Sequence, residues 1–346
     1  MISEHPLRYW QPVCWSRQLK ARPRALTLCG RHIALFRTRR GIGAIDDTCP
    51  HRGYPFSRGR IDGDSLVCGY HGWKATPDGR VSCAAASDGC AFVQAYDVCE
   101  RFGAVWLRRN TSTAPAPLLP RSEPPHIHLG LDIKAPIELV ADNLVEMEHT
   151  GEVHWLFGYD TARLGEVEIR TRIESDSVSV FARGPQRRLP RMLRWLKQQA
   201  GSPPDDWFCD DAEFRFDPLR IIARSYWVDP SSGARRRTEL LSVTYLVPLS
   251  ERETRLMGFY WTELAVDSLS RVMAPGIRAV LYAELHRDRR VTELSASRAL
   301  PVERMHLTRF DAPIPELRTR IAQYLDPSCL PKNPIRQHEQ IQNYRL

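Results

Sequence analysis

The chain has 346 residues, 42% hydrophobic and 26% charged, an ordinary globular balance with length enough for two domains and a core that needs no covalent staples. Its formal charge of +8 is carried almost wholly by arginine, the lysines being Lys20, Lys74, Lys134, Lys197 and Lys332; without a lysine-rich tail or a nucleic-acid motif, it does not point to a nucleic-acid partner. Nine cysteines, an odd number without regular spacing, argue against a disulfide framework and for free thiols in a reducing compartment.

The first residues, Ile2-Ser3-Glu4-His5-Pro6, form no basic-then-apolar leader, and no stretch approaches the roughly twenty apolar residues of a spanning helix. A soluble, cytoplasmic protein is expected. Residues 7–108 read as short strands, among them Ala25–Leu28, His32–Arg37, Ile42–Asp46 and Ala104–Leu107, separated by turn signals such as Asp62-Gly63 and Pro77-Asp78-Gly79. This is an all-β domain over residues 1–108. Residues 109–126, rich in Pro, Ser and Thr, read as a linker. In the remainder, 127–346, a helical pattern covers Pro136 to His149, with Ile137, Val140, Leu144 and Met147 at helical spacing. Alternating runs follow at 167–173, 178–181, 214–228, 239–247 and 255–263, and a last long helix is expected over Pro275 to Ser297. A helix, an antiparallel sheet and a closing helix make an α+β domain able to hold a ligand between sheet and helix. Between them, Arg187 to Lys197 reads as a basic amphipathic helix, most simply a solvated one; an acidic ferredoxin or an anionic membrane surface would be its alternative partners.

Two stretches carry chemistry. The first is Cys49-Pro50-His51-Arg52-Gly53, answered after sixteen intervening residues by Cys68-Gly69-Tyr70-His71-Gly72-Trp73. Two thiolates and two imidazoles suit a Rieske [2Fe-2S] cluster, with the cysteines on one iron and the histidines on the other. A zinc site is the other reading, although zinc sites usually pair like ligands within each half. The second stretch is Asn143-x-x-Glu146-x-x-His149-Thr150-Gly151-Glu152-Val153-His154. Two histidines and a carboxylate from elsewhere form the facial triad of non-haem iron(II), with open positions left over. A five-residue separation does not place His149 and His154 on one helical face, so the helix must end near Thr150-Gly151 for them to converge.

Together the two motifs resemble the Rieske non-haem iron oxygenases, in particular the single-chain vanillate and dicamba O-demethylase branch. The resemblance implies a β-sandwich Rieske domain, then a helix-grip catalytic domain of START or Bet v1 type. It implies a cluster held by Cys49, His51, Cys68 and His71, and a mononuclear Fe(II) held by His149, His154 and an aspartate on the late helix. Asp288 fits the branch pattern, with Glu284 and Asp311 as alternatives. Tyr54 and Tyr70 stand where respiratory Rieske proteins carry an extra cysteine pair. Asn143 lies close to the iron in this family. Glu146 replaces the family's usual aspartate, which links a cluster histidine of one subunit to an iron histidine of the next in a head-to-tail homotrimer; here the two ends would be His71 and His149. The implied function is a terminal oxygenase taking electrons from a separate reductase or ferredoxin, since no dinucleotide fingerprint is present, and using O2 to hydroxylate or O-/N-demethylate a hydrophobic small molecule. An electron carrier without oxygenase activity and a zinc-stabilised lipid-binding module are the rival classes. Association with a membrane is not implied.

Overall fold

The computed structural model describes residues 3–83, 91–189, 205–263 and 267–329, with residues 191, 194, 195, 198 and 203 besides. Cys90 lies outside the described residues, as do residues 190, 192, 193, 196 and 197 of the expected basic helix at 187–197. The chain divides into two compact units. One runs up to Ser122 and includes Val247–Glu251; the other comprises Glu123–Leu246 and the chain from Arg252 on.

The first unit is built from eleven short strands among the described residues. β1 (Gln11–Trp15), β10 (Tyr96–Arg101) and β11 (Ala104–Arg109) form one sheet in the order β1-β11-β10. β2 (Arg24–Leu28), β3 (Arg31–Thr38) and β4 (Gly41–Asp46) form a meander. β5 (Arg60–Asp62), β6 (Ser65–Val67), β7 (Lys74–Ala75), β8 (Arg80–Ser82) and β9 (Ala91–Phe92) form the third sheet. Ile33 to Phe36 is a continuous buried run on β3, as a strand covered on both faces requires. Ala34 and Phe36 share a core cluster with Leu66, Ala75 and Val81 of the third sheet, and Cys49 and Cys68 belong to it. No helix or strand occurs at 110–126.

The second unit is a seven-stranded sheet in the order β12-β18-β17-β16-β15-β14-β13. The strands are β12 (Ile127–Ile133), β13 (Glu168–Ile173), β14 (Ser177–Pro185), β15 (Trp207–Phe216), β16 (Leu219–Val228), β17 (Arg235–Ser250) and β18 (Glu253–Glu263). The single run expected at 214–228 is in fact the end of β15 and all of β16, turned at Asp217-Pro218, where proline cannot continue a central ladder. Helix α1 (Ile137–Val145) and the one-turn α2 (Thr150–Val153) lie between β12 and β13; α3 (Asp267–Ala296) and α4 (Ile314–Leu325) follow β18. Ile277, Leu281 and Leu285 of α3 pack on Ile127 and Leu129 of β12, Tyr260 of β18 and Leu240 of β17. That is a helix gripped by a sheet.

Two helix boundaries differ from expectation. The apolar spacing through Met147 suggested a helix to His149, yet α1 stops at Val145 and Glu146 is extended at φ −84°, ψ 130°. The Glu146 carboxylate explains this: it accepts from the backbone N–H groups of Glu148 and His149, as a capping side chain does, and starts a fresh turn. The long helix begins at Asp267, so Pro275 is interior to it and removes one backbone hydrogen bond. Among the described residues no helix is long and apolar enough to cross a membrane.

Candidate metal centres

In the first unit the two ligand loops are built alike. Cys49 N–H donates to the Tyr54 carbonyl at 3.0 Å and Gly53 N–H to the Cys49 carbonyl at 2.8 Å; Cys68 N–H donates to the Trp73 carbonyl at 2.7 Å and Gly72 N–H to the Cys68 carbonyl at 3.1 Å. Gly53 (φ +72°) and Gly72 (φ +73°) are left-handed, a conformation that a side chain disfavours. Each loop therefore curls around its own cysteine. The cysteines are 2% exposed while both imidazoles are exposed. His51 stacks on Trp73 at 4.8 Å and meets the His71 ring edge-on at 4.5 Å. Tyr54 and Tyr70 lie 5.8 Å apart, and Tyr70 covers His71 at 3.7 Å.

Burial pushes the Cys49 thiol up, the His51 backbone opposes it, and the adjacent Cys68 thiol adds to the rise. Two neighbouring buried thiolates call for a cation. A single zinc ion would gather all four ligand atoms to within about 4 Å of one another. Among the described residues the only group of three or more ligand atoms within 4.8 Å is His149, His154 and Asp288; the Cys–His quartet is not gathered so tightly. Two cysteines on one iron and two histidines on another have no such requirement.

In the second unit the break at Glu146 lets the chain reverse between the two histidines. His149 N-caps α2 and His154 ends it. Gly151 is needed for closeness and not for an unusual φ, because a Cβ there would lie 2.7 Å from the Tyr159 carbonyl oxygen. This corrects the expectation that glycine breaks the helix. The Nε2 atoms of His149 and His154 approach Asp288 Oδ1 at 3.5 and 3.2 Å. That oxygen is buried and has no hydrogen-bond partner, an arrangement that fits a metal ligand. Each imidazole is oriented from behind: His149 Nδ1 is 3.0 Å from Glu146 Oε2, and His154 Nδ1 is 3.0 Å from Glu284 Oε2. Burial pulls His149 down, but Asp288 and Glu146 outweigh it and bring it to about 9. Burial raises Asp288, and the two histidines more than reverse this.

Glu284 and Asp311, the alternative third ligands, have other partners. Glu284 lies one turn before Asp288 on α3 and also accepts from the backbone N–H groups of Trp155 and Leu156 at 3.0 and 3.1 Å. Asp311 caps Thr308 N–H at 2.8 Å. Asn143 is half-buried on α1. Asp142 beside it is buried and held by Arg318 Nε of α4 at 2.9 Å; this pairing spans 176 residues and had no local signal in the sequence. Next to His154, whose carbonyl takes a hydrogen bond from Arg187 Nη1, a cavity of about 480 Å³ is lined by Trp155, Arg187, Arg188, Leu189, Arg191 and Arg194.

Fold and sites together define a Rieske domain joined to a helix-grip metal domain. Residues 9–97 match the Rieske [2Fe-2S] domain and residues 133–326 the vanillate O-demethylase oxygenase C-terminal domain. The chain belongs to this vanillate O-demethylase oxygenase family of Rieske non-haem iron proteins. It is 28% identical over 183 residues to the vanillate O-demethylase oxygenase subunit of a Pseudomonas species, covering 50% of this chain and 51% of that one. It is 29% identical over 190 residues to the 4beta-methylsterol monooxygenase of Methylococcus capsulatus, covering 50% of each. The match thus spans about half the length of these relatives. Dicamba monooxygenase bound to 3,6-dichlorosalicylic acid superposes with a TM-score of 0.75 at 18% identity, over 94% of this chain and 99% of that one, and shares the fold.

Proposed function

We propose that the chain is the terminal oxygenase of a Rieske non-haem iron system that monooxygenates a hydrophobic small molecule by hydroxylation or oxidative demethylation. The observation that carries this reading is the convergence of His149, His154 and the buried Asp288 Oδ1, in a chain that also has the Rieske loops. Cys49, His51, Cys68 and His71 would hold the [2Fe-2S] cluster, and the triad the mononuclear iron. The bound metals would supply electron transfer and activation of O2. The protein supplies the rest. Glu146 and Glu284 direct each Nδ1 away from the metal side, so that both Nε2 atoms face Asp288. The buried sheet-and-helix interior holds an apolar substrate and limits water.

Electrons would come from a separate reductase or ferredoxin. The assembly would be a head-to-tail trimer in which Glu146, already on His149, takes His71 of a neighbouring subunit. Iron and sulfide analysis after anaerobic purification should give about three irons and two sulfides per chain. His149→Ala should keep the cluster spectrum, lose one iron and lose substrate-dependent O2 uptake driven by a surrogate reductase. Zinc in place of iron and sulfide would sink the proposal. Unchanged uptake in the variant would reduce the protein to an electron carrier.

A further inference from the structure

Strand alternation puts Phe208, Asp210, Ala212 and Phe214 of β15 on one face of the sheet. Opposite residues of antiparallel neighbours share a face, so register adds Ala182 and Val180 of β14 and Trp227, Ser225 and Ala223 of β16. The next strand places Leu240 beside Ser225, and Leu240 packs against α3. This is therefore the face that grips the helix bearing Glu284 and Asp288. The positions on it are mostly apolar, with Ser225, Ser242, Thr244 and Thr171 as hydroxyls, and only Asp210 is charged among the described pairs. Asp210 is thus the one acid on this face, with small neighbours, Ala182, Ala212 and Ala223.

One carboxylate oxygen of Asp210 accepts from Ser225 Oγ at 3.0 Å. No other hydrogen bond reaches this carboxylate among the described residues, and the side chain is half-buried, not sealed. Its charge acts on Tyr159, whose hydroxyl is buried without a hydrogen-bond partner among the described residues. A structural acid in such a place is normally fully hydrogen-bonded or paired with a cation. Apolar pockets instead orient their ligands through a small number of convergent polar groups.

We infer that Asp210, backed by Ser225, is the polar anchor of the substrate site and receives a hydroxyl or amine group of an otherwise apolar substrate. The substrate class is then a hydrophobic alcohol or amine and not a carboxylate, which Asp210 would repel. The inference rests on the oxygenase reading above and names its substrate class.

The test uses the iron-loaded, cluster-containing protein. Binding is measured by calorimetry at a pH well above neutral, where Asp210 is ionised, for 4-methoxybenzyl alcohol, 4-methoxybenzylamine, 4-methoxybenzyl methyl ether and 4-methoxybenzoate, and for the same four end groups on a steroid skeleton. On at least one skeleton the alcohol or amine should bind about tenfold or more tighter than the ether and the carboxylate, as a hydrogen bond to a charged acceptor would give. Asp210→Asn should remove that preference and Ser225→Ala should weaken it. Ether and alcohol binding equally in the wild type, a preference untouched by Asp210→Asn, or no binding by any member would overturn the inference. Carboxylates ranking first would also overturn it and would direct attention to the arginines around Trp155. Should Asp210→Asn not fold, the wild-type ranking and Ser225→Ala still decide. Loss of the oxygenase reading itself would be seen separately, as absent iron and sulfide.

Discussion

Glu284 has four partners within the second unit: His154 Nδ1, two backbone N–H groups and Arg287 Nη1 at 3.0 Å. Burial raises its carboxyl, but the His154 hydrogen bond, the Trp155 backbone and Arg287 hold it below the usual range. Glu284→Ala should weaken iron retention by about 10- to 100-fold, as loss of a group orienting a metal-bound imidazole typically does. Competition with a chelator measures this, and Glu284→Gln should recover part of the loss because it can still accept from the imidazole and backbone. Asp210 gives a pH test. Burial lifts it to about 7, Ser225 opposes the rise, Asp211 adds to it, and His154 and His149 oppose it; Tyr159 is the other titratable group under its influence. An acid whose folded pKa lies above its unfolded value near 3.9 stabilises most at low pH and loses that contribution as pH rises to the folded pKa. Asp210→Asn should therefore gain thermal stability over the wild type as pH rises from about 5 to 7, with the gap constant above it. Melting curves across that range check the sign; a pH-independent gap would contradict it.

At the scale of elements, what was legible in the sequence was what has a short period or a short spacing. Five of the runs that form the sheet, the two Cys–His loops and the later part of the long helix announce themselves through alternation, glycine and apolar recurrence, whereas β12 and most of β15 did not. The end of α1 did not, because the apolar spacing runs on through Met147 while the Glu146 carboxylate satisfies a new turn's N–H groups. Partners distant in sequence were equally silent. His154 and Glu284 are 130 residues apart, and Asp142 and Arg318 are 176 apart, so only folding shows which acid serves which base. The Asp142–Arg318 pair ties α1 to α4 just ahead of the iron-site segment. Burial raises the Asp142 carboxyl and Arg318 draws it back. Arg318→Ala should cost about 3 kcal/mol in denaturant unfolding, as removing one partner of a buried pair does, while Asp142→Asn with Arg318→Ala should cost less than the single change. Equal costs would mean the two do not act as a pair.

For the whole molecule, the proposed trimer makes a prediction that a self-sufficient monomer does not. His71→Ala should disable the cluster and His149→Ala the iron site, and each homotrimer should be inactive. Co-expressed, the two chains should regain part of the wild-type oxygen uptake, because some neighbours would then pair an intact cluster with an intact iron. No recovery in isolated mixed assemblies would place electron transfer within one chain, or nowhere. The family, its fold and its metal chemistry were readable from two motifs because metal ligands must be particular residue types at restricted spacings. The substrate is less readable: a pocket is made from strand faces, and the residues that meet on Asp210 come from three strands.

The spacing of Glu284 and Asp288 on α3 limits how this protein can vary in length. One residue inserted or deleted between them would turn one carboxylate about 100° around the helix relative to the other. Either the metal ligand or the brace of His154 would then face elsewhere, whatever residue was added. The turn at Asp229–Ala234, closed by an Asp229 carboxylate on Ser231 and Ser232 N–H groups and away from the described metal ligands in sequence, has no such phase to keep. Length variation among functional relatives of this chain should therefore collect in turns of that kind and be absent from the interval 284–288.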